Sequence, residues 1–282
     1  MTVDLVFITY DRLEYTRLAL ASVLADPSDF RLTIWDNAST DGTRDYLRNE
    51  VSDSRIADIV LSAENVGQIE AVNRVWSASR ADLVGKLDND CLMSPGWTET
   101  LAQAHADIDQ LGVVACWHFY PEDFDEPRAR HKIQDFGSHR IFRHPSTCGT
   151  GLLIKTDTYR KMGPMTGRFT TAYWFNMANH GYVNGFYYPL VYQEHMDDTR
   201  SKHCLLPKRF FDETYRARTG LPAERLTSMH NHAMYHEKVL RSLVRHQAIL
   251  NNLLDEPFDP AYYSRWRKRA RAAGRMLRCS PR

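Results

Sequence analysis

Along the first 115 residues, short apolar runs alternate with segments of helical spacing. VDLVFITY (3–10) is an apolar run rich in β-branched residues, the pattern of a parallel strand buried on both faces. EYTRLALASVLA (14–25) has helical spacing and stops at Asp26-Pro27. RLTIWD (31–36) predicts a second strand. The polar turn NASTDGT follows it, with Ser39 or Thr40 available to cap a helix over 41–50. DIVLSA (58–63) predicts a third strand, then come a helix over 67–80 and the strand DLVGKLD (82–88). A helix from Gly96 to Gln110 and the strand GVVACWHF (112–119) complete this stretch. Strands alternating with helices predict an α/β fold, a mostly parallel sheet covered on both faces.

After Phe119 the pattern changes. Residues 120–146 are polar and rich in Pro, His and Arg, and predict a mobile loop region. GTGLLIK (149–155) returns to strand, and TDTYRKMG (156–163) predicts a helix closed by Gly163-Pro164. A helix over 172–180 ends at Gly181, and YVNGFYYPLVY (182–192) reads as an aromatic strand. From Pro207 onward the pattern is helical, with apolar periodicity over 223–254 and a basic helix over 261–278. The expected organisation is one α/β domain over 1–205, in halves 1–115 and 116–205, with a helical C-terminal extension over 206–282.

Composition changes this picture little. The 282 residues are 43% hydrophobic and 25% charged, ordinary for a globular protein. Lys+Arg is 36 against Asp+Glu 35, so net charge points to no nucleic-acid partner. The charge is unevenly spread, however. RWRKRARAAGRMLR (265–278) holds seven basic residues, and without it the net charge falls from +1 to −6. That helix suits either peripheral contact with an anionic membrane surface or a solvated or oligomer-contacting face. The five cysteines are scattered without a CxxC, the usage of reduced thiols in a cytoplasmic protein. No apolar stretch reaches the length of a spanning helix, and no signal peptide is expected. The reading is cytoplasmic, with the inner membrane face as the place of any peripheral contact.

Chemistry concentrates at strand ends. In open parallel sheets, ligands bind beyond the carboxyl ends of the strands. Thr9, Tyr10 and Asp11 follow the first strand, Asp36 and Asn37 the second, and Asp88 and Asp90 the fourth. Two carboxylates one residue apart repel unless a cation or a proton lies between them. Mg²⁺ and Mn²⁺ prefer oxygen ligands, and one or two carboxylates together with substrate phosphates suffice for Mg²⁺. A metal bridging the pair to a diphosphate is therefore one reading of LDNDC. A solvated turn is the other, since Asp and Asn favour turns.

The ordered set FITYDR, IWDNASTDGT, ENVGQIEAVN and KLDNDCLMSPGW resembles the family 2 glycosyltransferases, which have the GT-A (Rossmann-like) fold. The resemblance is close over about the first 115 residues and looser through GTGLLIKTDTYRKMG and GYVNGFYYPLVYQEH. It implies a nucleoside-diphosphate sugar donor (UDP, dTDP or GDP) and a hydroxyl acceptor: a saccharide, a lipid-linked saccharide or a small molecule. It also implies that Thr9, Tyr10 and Asp11 flank the base and ribose, and that Asp36 and Asn37 contact the base. Asn65, Gly67 and Asn73 would border the nucleotide, Asp88 would face the ribose or the metal, and Asp90 would ligate Mn²⁺ or Mg²⁺. His195, in VYQEHMDD, stands where relatives often complete the metal site.

One departure is plain. An inverting transferase needs a general base for the acceptor hydroxyl. The family draws it from an ED-type motif about ten residues before the GY pair, yet residues 168–180 contain no Asp or Glu. Asp198 and Glu194 are the candidates chosen in its place. Retention of configuration stays open, as do a non-catalytic nucleotide-sugar-binding protein and a nucleotidyltransferase of related fold. His230, His232 and His236 cluster on a helical stretch without a clear further ligand. Cys148-Gly149-Thr150-Gly151 offers a small-residue turn to a sugar, and Trp117 to Tyr120 are either sugar-stacking or core.

Overall fold

The structure is a computed structural model that describes residues 1–205, apart from Pro145, residues 167–169 and Thr199. The helices expected over 223–254 and 261–278, the membrane contact assigned to the latter and the His230–His236 cluster lie outside the described residues.

The first half, residues 1–115, follows the sequence pattern closely. β1 (Val3–Thr9), α1 (Leu13–Leu24), β2 (Arg31–Asp36), α2 (Thr43–Asn49), β3 (Ile56–Leu61), α3 (Gln68–Ala78) and β4 (Leu83–Asp88) alternate as predicted. A short β5 (Cys91–Met93), α4 (Trp97–Asp107) and β6 (Leu111–Ala115) complete it. The capping of α2 differs from expectation. Gly42 is its N-cap, and Asp41 Oδ1 accepts bonds from the Thr43 amide at 3.1 Å and hydroxyl at 2.7 Å. Ser39 and Thr40 instead bond Asp11 across the sheet edge.

Residues 120–146 are not simply a loop. They form α5 (Glu126–Ala129) and a hairpin of β7 (Ile133–Phe136) and β8 (His139–Arg143) around Gly137 at φ 62°. Ile141 and Phe142 are fully buried, the reason this polar segment joins the sheet. His139 fixes it to α4 through a 2.8 Å contact from Nε2 to Asp107 Oδ2. Then follow β9 (Leu152–Lys155), α6 (Thr156–Met162), α7 (Thr171–Asn179), β10 (Val183–Tyr188) and β11 (Gln193–His195).

Nine strands form one sheet in the order β3-β2-β1-β4-β9-β6-β10-β8-β7. The β3-β2-β1-β4 block is wholly parallel, and β9 enters antiparallel between β4 and β6. All strands except β8 and β9 run in one direction. β1 shows why both faces need cover. Val6 and Ile8 pack with Ile69, Val72 and Trp76 of α3 on one face. Leu5 and Phe7 pack with Tyr15 and Leu20 of α1 and with Trp97 and Leu101 of α4 on the other. Each such buried side chain contributes roughly 1.5–3 kcal/mol. Gly85 permits close approach at the junction of the halves: a Cβ there would lie 2.6 Å from Leu5 and Leu153 side chains.

A separate ribbon pairs β11 with β5, His195 opposite Cys91 and Glu194 opposite Leu92. It brings the end of the second half onto the turn that follows β4.

Candidate active site

Register sets the level of the site. Thr9 pairs with Asp36 and Ile8 with Asp88, so three strands end together at the carboxyl edge. Thr9 itself turns inward. Its hydroxyl lies 2.8 Å from that of Thr16, and Asn89 Nδ2 donates to both hydroxyls and to Asp11 O at 3.1 Å. The middle residue of the DND turn is thus a brace under the loop, leaving Asp88 and Asp90 above it. Tyr10 is half exposed. Asp11 Oδ1 accepts from the Thr40 amide at 2.7 Å.

Asp36 is fully buried. Its Oδ1 accepts from the Ser39 amide at 3.1 Å and lies 3.4 Å from Arg44 Nε, while Oδ2 has no hydrogen-bond partner among the described residues. Asn37 Oδ1 accepts from Trp35 Nε1 at 3.1 Å. A pocket of about 490 Å³ opens at the same edge, lined by Trp35, Val60, Ser62, Glu64, Val66 and Arg74. Asn65 and Gly67 shape its rim: Asn65 Oδ1 accepts from the Gly67 amide at 2.9 Å, and Gly67 caps α3 at φ 79°. Asn73 does something the motif did not suggest. Its amide clamps the Met165 backbone at 2.8 and 3.0 Å and its Oδ1 also accepts from Tyr159, tying α3 to the second half.

The two carboxylates of the DND turn have different partners. Asp88 is paired with Lys86, whose side chain is only 1% exposed on β4. The lysine also donates to Gly149 O at 2.8 Å, and Thr150 Oγ1 accepts from the Asp88 amide at 2.9 Å. The Cys148–Gly151 turn is therefore bolted to Asp88. Burial pushes the Asp88 carboxyl up, against the pull of Lys86. Asp90 Oδ2 lies 3.6 Å from His195 Nε2 and 3.3 Å from Arg12 Nη1, and Arg12 also bonds Asp197. Burial pushes Asp90 up as well, but the charges of His195 and Arg12 outweigh it and hold its carboxyl well below the usual range. Burial lowers the His195 imidazole, and Asp90 more than restores it, a net upward shift. Asp197 is pushed up by burial and by Asp90.

This set fits a divalent cation. Ligand atoms of Asp90, Cys91 and His195 lie within 4.8 Å of one another. Burial pushes the Cys91 thiol well up, so the donors offered are carboxylate oxygen and imidazole nitrogen, a combination suited to Mn²⁺. A protein cation, Arg12, already lies against the carboxylates.

The base candidates differ in availability. Asp198 is fully buried, and Arg200 bonds both its oxygens at 2.8 and 3.1 Å while also gripping Asp123 at 2.8 and 3.0 Å. Glu194 is less enclosed, and its Oε1 accepts from Ser201 Oγ at 2.5 Å. Trp117 and Phe119 are core residues. Arg12 and Lys86 were not anticipated at this centre. Lys86 had a signal, a charge inside an otherwise apolar strand two residues before an Asp. Arg12 had none.

An open, mostly parallel sheet with an inserted antiparallel strand is the GT-A architecture. It superposes on a mannosyltransferase of Pyrobaculum calidifontis, solved with GDP-Man and Mn²⁺, with TM-score 0.57 and 18% identity over 96% of this chain and 80% of that one. It also superposes on GalNAc-T7, solved with UDP, GalNAc and Mn²⁺, with TM-score 0.53 and 11% identity over 69% and 44%. The glycosyl transferase family 2 profile matches residues 4–172, and the chain belongs to that family. Validoxylamine A glucosyltransferase of Streptomyces hygroscopicus subsp. limoneus is 29% identical over 141 residues, 48% of this chain and 31% of that protein. An uncharacterized glycosyltransferase of Nostoc sp. is 29% identical over 117 residues, 40% of this chain and 36% of that protein. The chain thus spans about a third of the length of these curated relatives. No helix among the described residues is long and apolar enough to cross a membrane.

Proposed function

We propose that this chain transfers a glycosyl group from a nucleoside-diphosphate sugar to an acceptor hydroxyl, with a divalent cation held at Asp90 and His195. The observation that carries the reading is the convergence of Asp90 and His195, from the two halves, at the edge that holds the Trp35–Arg74 pocket. The related folds solved with GDP-Man or UDP and Mn²⁺ support it. In this reading the pocket takes the base, with the partnerless Asp36 Oδ2 and the Asn37 side chain reading its polar edge. Lys86 holds Asp88 in place, leaving Asp90 as the cation ligand. When bound, Mn²⁺ or Mg²⁺ would neutralise charge on the departing diphosphate.

Transfer with inversion needs one carboxylate to accept the acceptor's hydroxyl proton as its oxygen attacks the anomeric carbon and the bond to the diphosphate breaks. Glu194 suits this role better than Asp198, because Arg200 already saturates the Asp198 carboxylate. The acceptor is a saccharide, a lipid-linked saccharide or a small molecule.

The test is a thermal-shift panel of UDP, GDP, dTDP and CDP, each with Mn²⁺ and with EDTA. A nucleotide at 100 times its Kd should add about 2.7 kcal/mol of stability. A shift for one nucleotide that needs the metal supports the reading and names the donor class. No shift with any nucleotide contradicts it. With the donor known, Glu194→Gln should lower kcat with little change in donor affinity, whereas unchanged turnover removes Glu194 from the role.

A further inference from the structure

Arg12 occupies a position that local energetics do not explain. It is the N-cap of α1 with φ 63° and ψ 50°, directly after Asp11 at φ 51°. Non-glycine residues held there cost on the order of 1–3 kcal/mol each and persist only where the surroundings enforce them. The surroundings do so. The Asp11 amide donates to Ser39 Oγ at 2.7 Å, its carboxylate takes the Thr40 amide, and Asn89 holds its carbonyl. A cation at a helix N-terminus also opposes the helix dipole. What offsets both costs is the pair of carboxylates the guanidinium meets: Asp90 at 3.3 Å and Asp197, which come from opposite halves of the chain. About a third of the Arg12 side chain is exposed, so it can leave without unpacking the core. The segment carrying Asp197 keeps other ties. The Tyr15 hydroxyl donates to Met196 O at 3.1 Å and accepts from the Leu205 amide at 2.8 Å.

We propose that Arg12 is a displaceable counter-cation, holding Asp90 and Asp197 together until a divalent cation takes them and then serving the anionic diphosphate of the donor. This rests on the donor-site reading above. It makes metal entry compete with an internal cation and gives the released guanidinium a new partner only when the nucleotide is present. Metal and nucleotide therefore favour one another, and the coupling is reciprocal.

The test measures two affinities in wild type, Arg12→Gln and Arg12→Lys. Mn²⁺ binding without nucleotide is followed by the loss of the free-ion paramagnetic resonance signal, and nucleoside-diphosphate binding at saturating Mn²⁺ is followed by calorimetry. Arg12→Gln should bind Mn²⁺ about tenfold more tightly and the nucleotide several-fold more weakly, while Arg12→Lys, which keeps the charge, stays near wild type in both. A merely structural arginine would weaken both affinities together, and that result overturns the proposal. So does a Mn²⁺ affinity that Arg12→Gln leaves unchanged. Wild type that binds neither Mn²⁺ nor any nucleotide contradicts the donor-site reading itself.

Discussion

In residues 1–115, β1, β2 and β3 lie side by side, joined through single helices, and β4 returns beside β1. In residues 116–205, β9 inserts between β4 and β6, β10 lies between β6 and β8, and the β7-β8 hairpin closes the edge. The first half is assembled from near neighbours in sequence and the second from distant ones. The candidate site draws on both: Asp90 and Arg12 come from the first, His195 and Asp197 from the second. The carboxyl edge of β1, β2 and β4 is thus a product of parallel-sheet topology, and the finished charge cluster is a product of how the second half docks.

The strongest way to break this comparison is at the junction. Lys86→Met leaves the partly buried Asp88 without its cation and unties Gly149, which should cost about 1–3 kcal/mol in chemical denaturation. Adding Asp88→Asn should recover most of that loss, and no recovery would mean the pair is not what joins the halves. Within the second half, a Cβ on Gly185 would lie 2.3 Å from Phe142 O across the β10–β8 pairing. Gly185→Ala should cost about 1–3 kcal/mol. An unaffected midpoint would show that this antiparallel register is looser than the parallel one.

A smaller effect concerns pH. His105 of α4 is buried, with Nε2 3.0 Å from Leu153 O on β9, and burial lowers its pKa to about 3. The unfolded imidazole titrates near its ordinary 6.5, so between about pH 6.5 and 3 the unfolded chain binds more protons. This residue's contribution to stability therefore declines as pH falls through that window, by up to about 1.4 kcal/mol per pH unit. His105→Gln should flatten that part of the stability profile. An unchanged slope would mean that His105 is not held neutral beneath β9.

The first half was legible because its signals are local. Continuous apolar runs mark strands buried on both faces, and FITYDR, IWDN and LDND lie at their carboxyl ends. Asp90 and His195 were anticipated together, and the β5–β11 ribbon brings them to 3.6 Å. The β7-β8 hairpin was hidden because Pro, His and Arg around it mask the burial of Ile141 and Phe142. Asn73 carried its motif but spends its side chain on Met165, a partner 92 residues away. Arg12 was invisible for a different reason. Its role depends on a left-handed backbone and on Asp197, and neither is written in residues 9–14.

The most direct measurement is a crystal structure grown with Mn²⁺ and the nucleoside diphosphate chosen by the thermal-shift panel, with anomalous data collected at the manganese edge. The account predicts one anomalous peak within bonding distance of Asp90 and His195, contacting the diphosphate, with the base in the Trp35–Arg74 pocket. A peak elsewhere, or a bound nucleotide with no metal at Asp90, would contradict it.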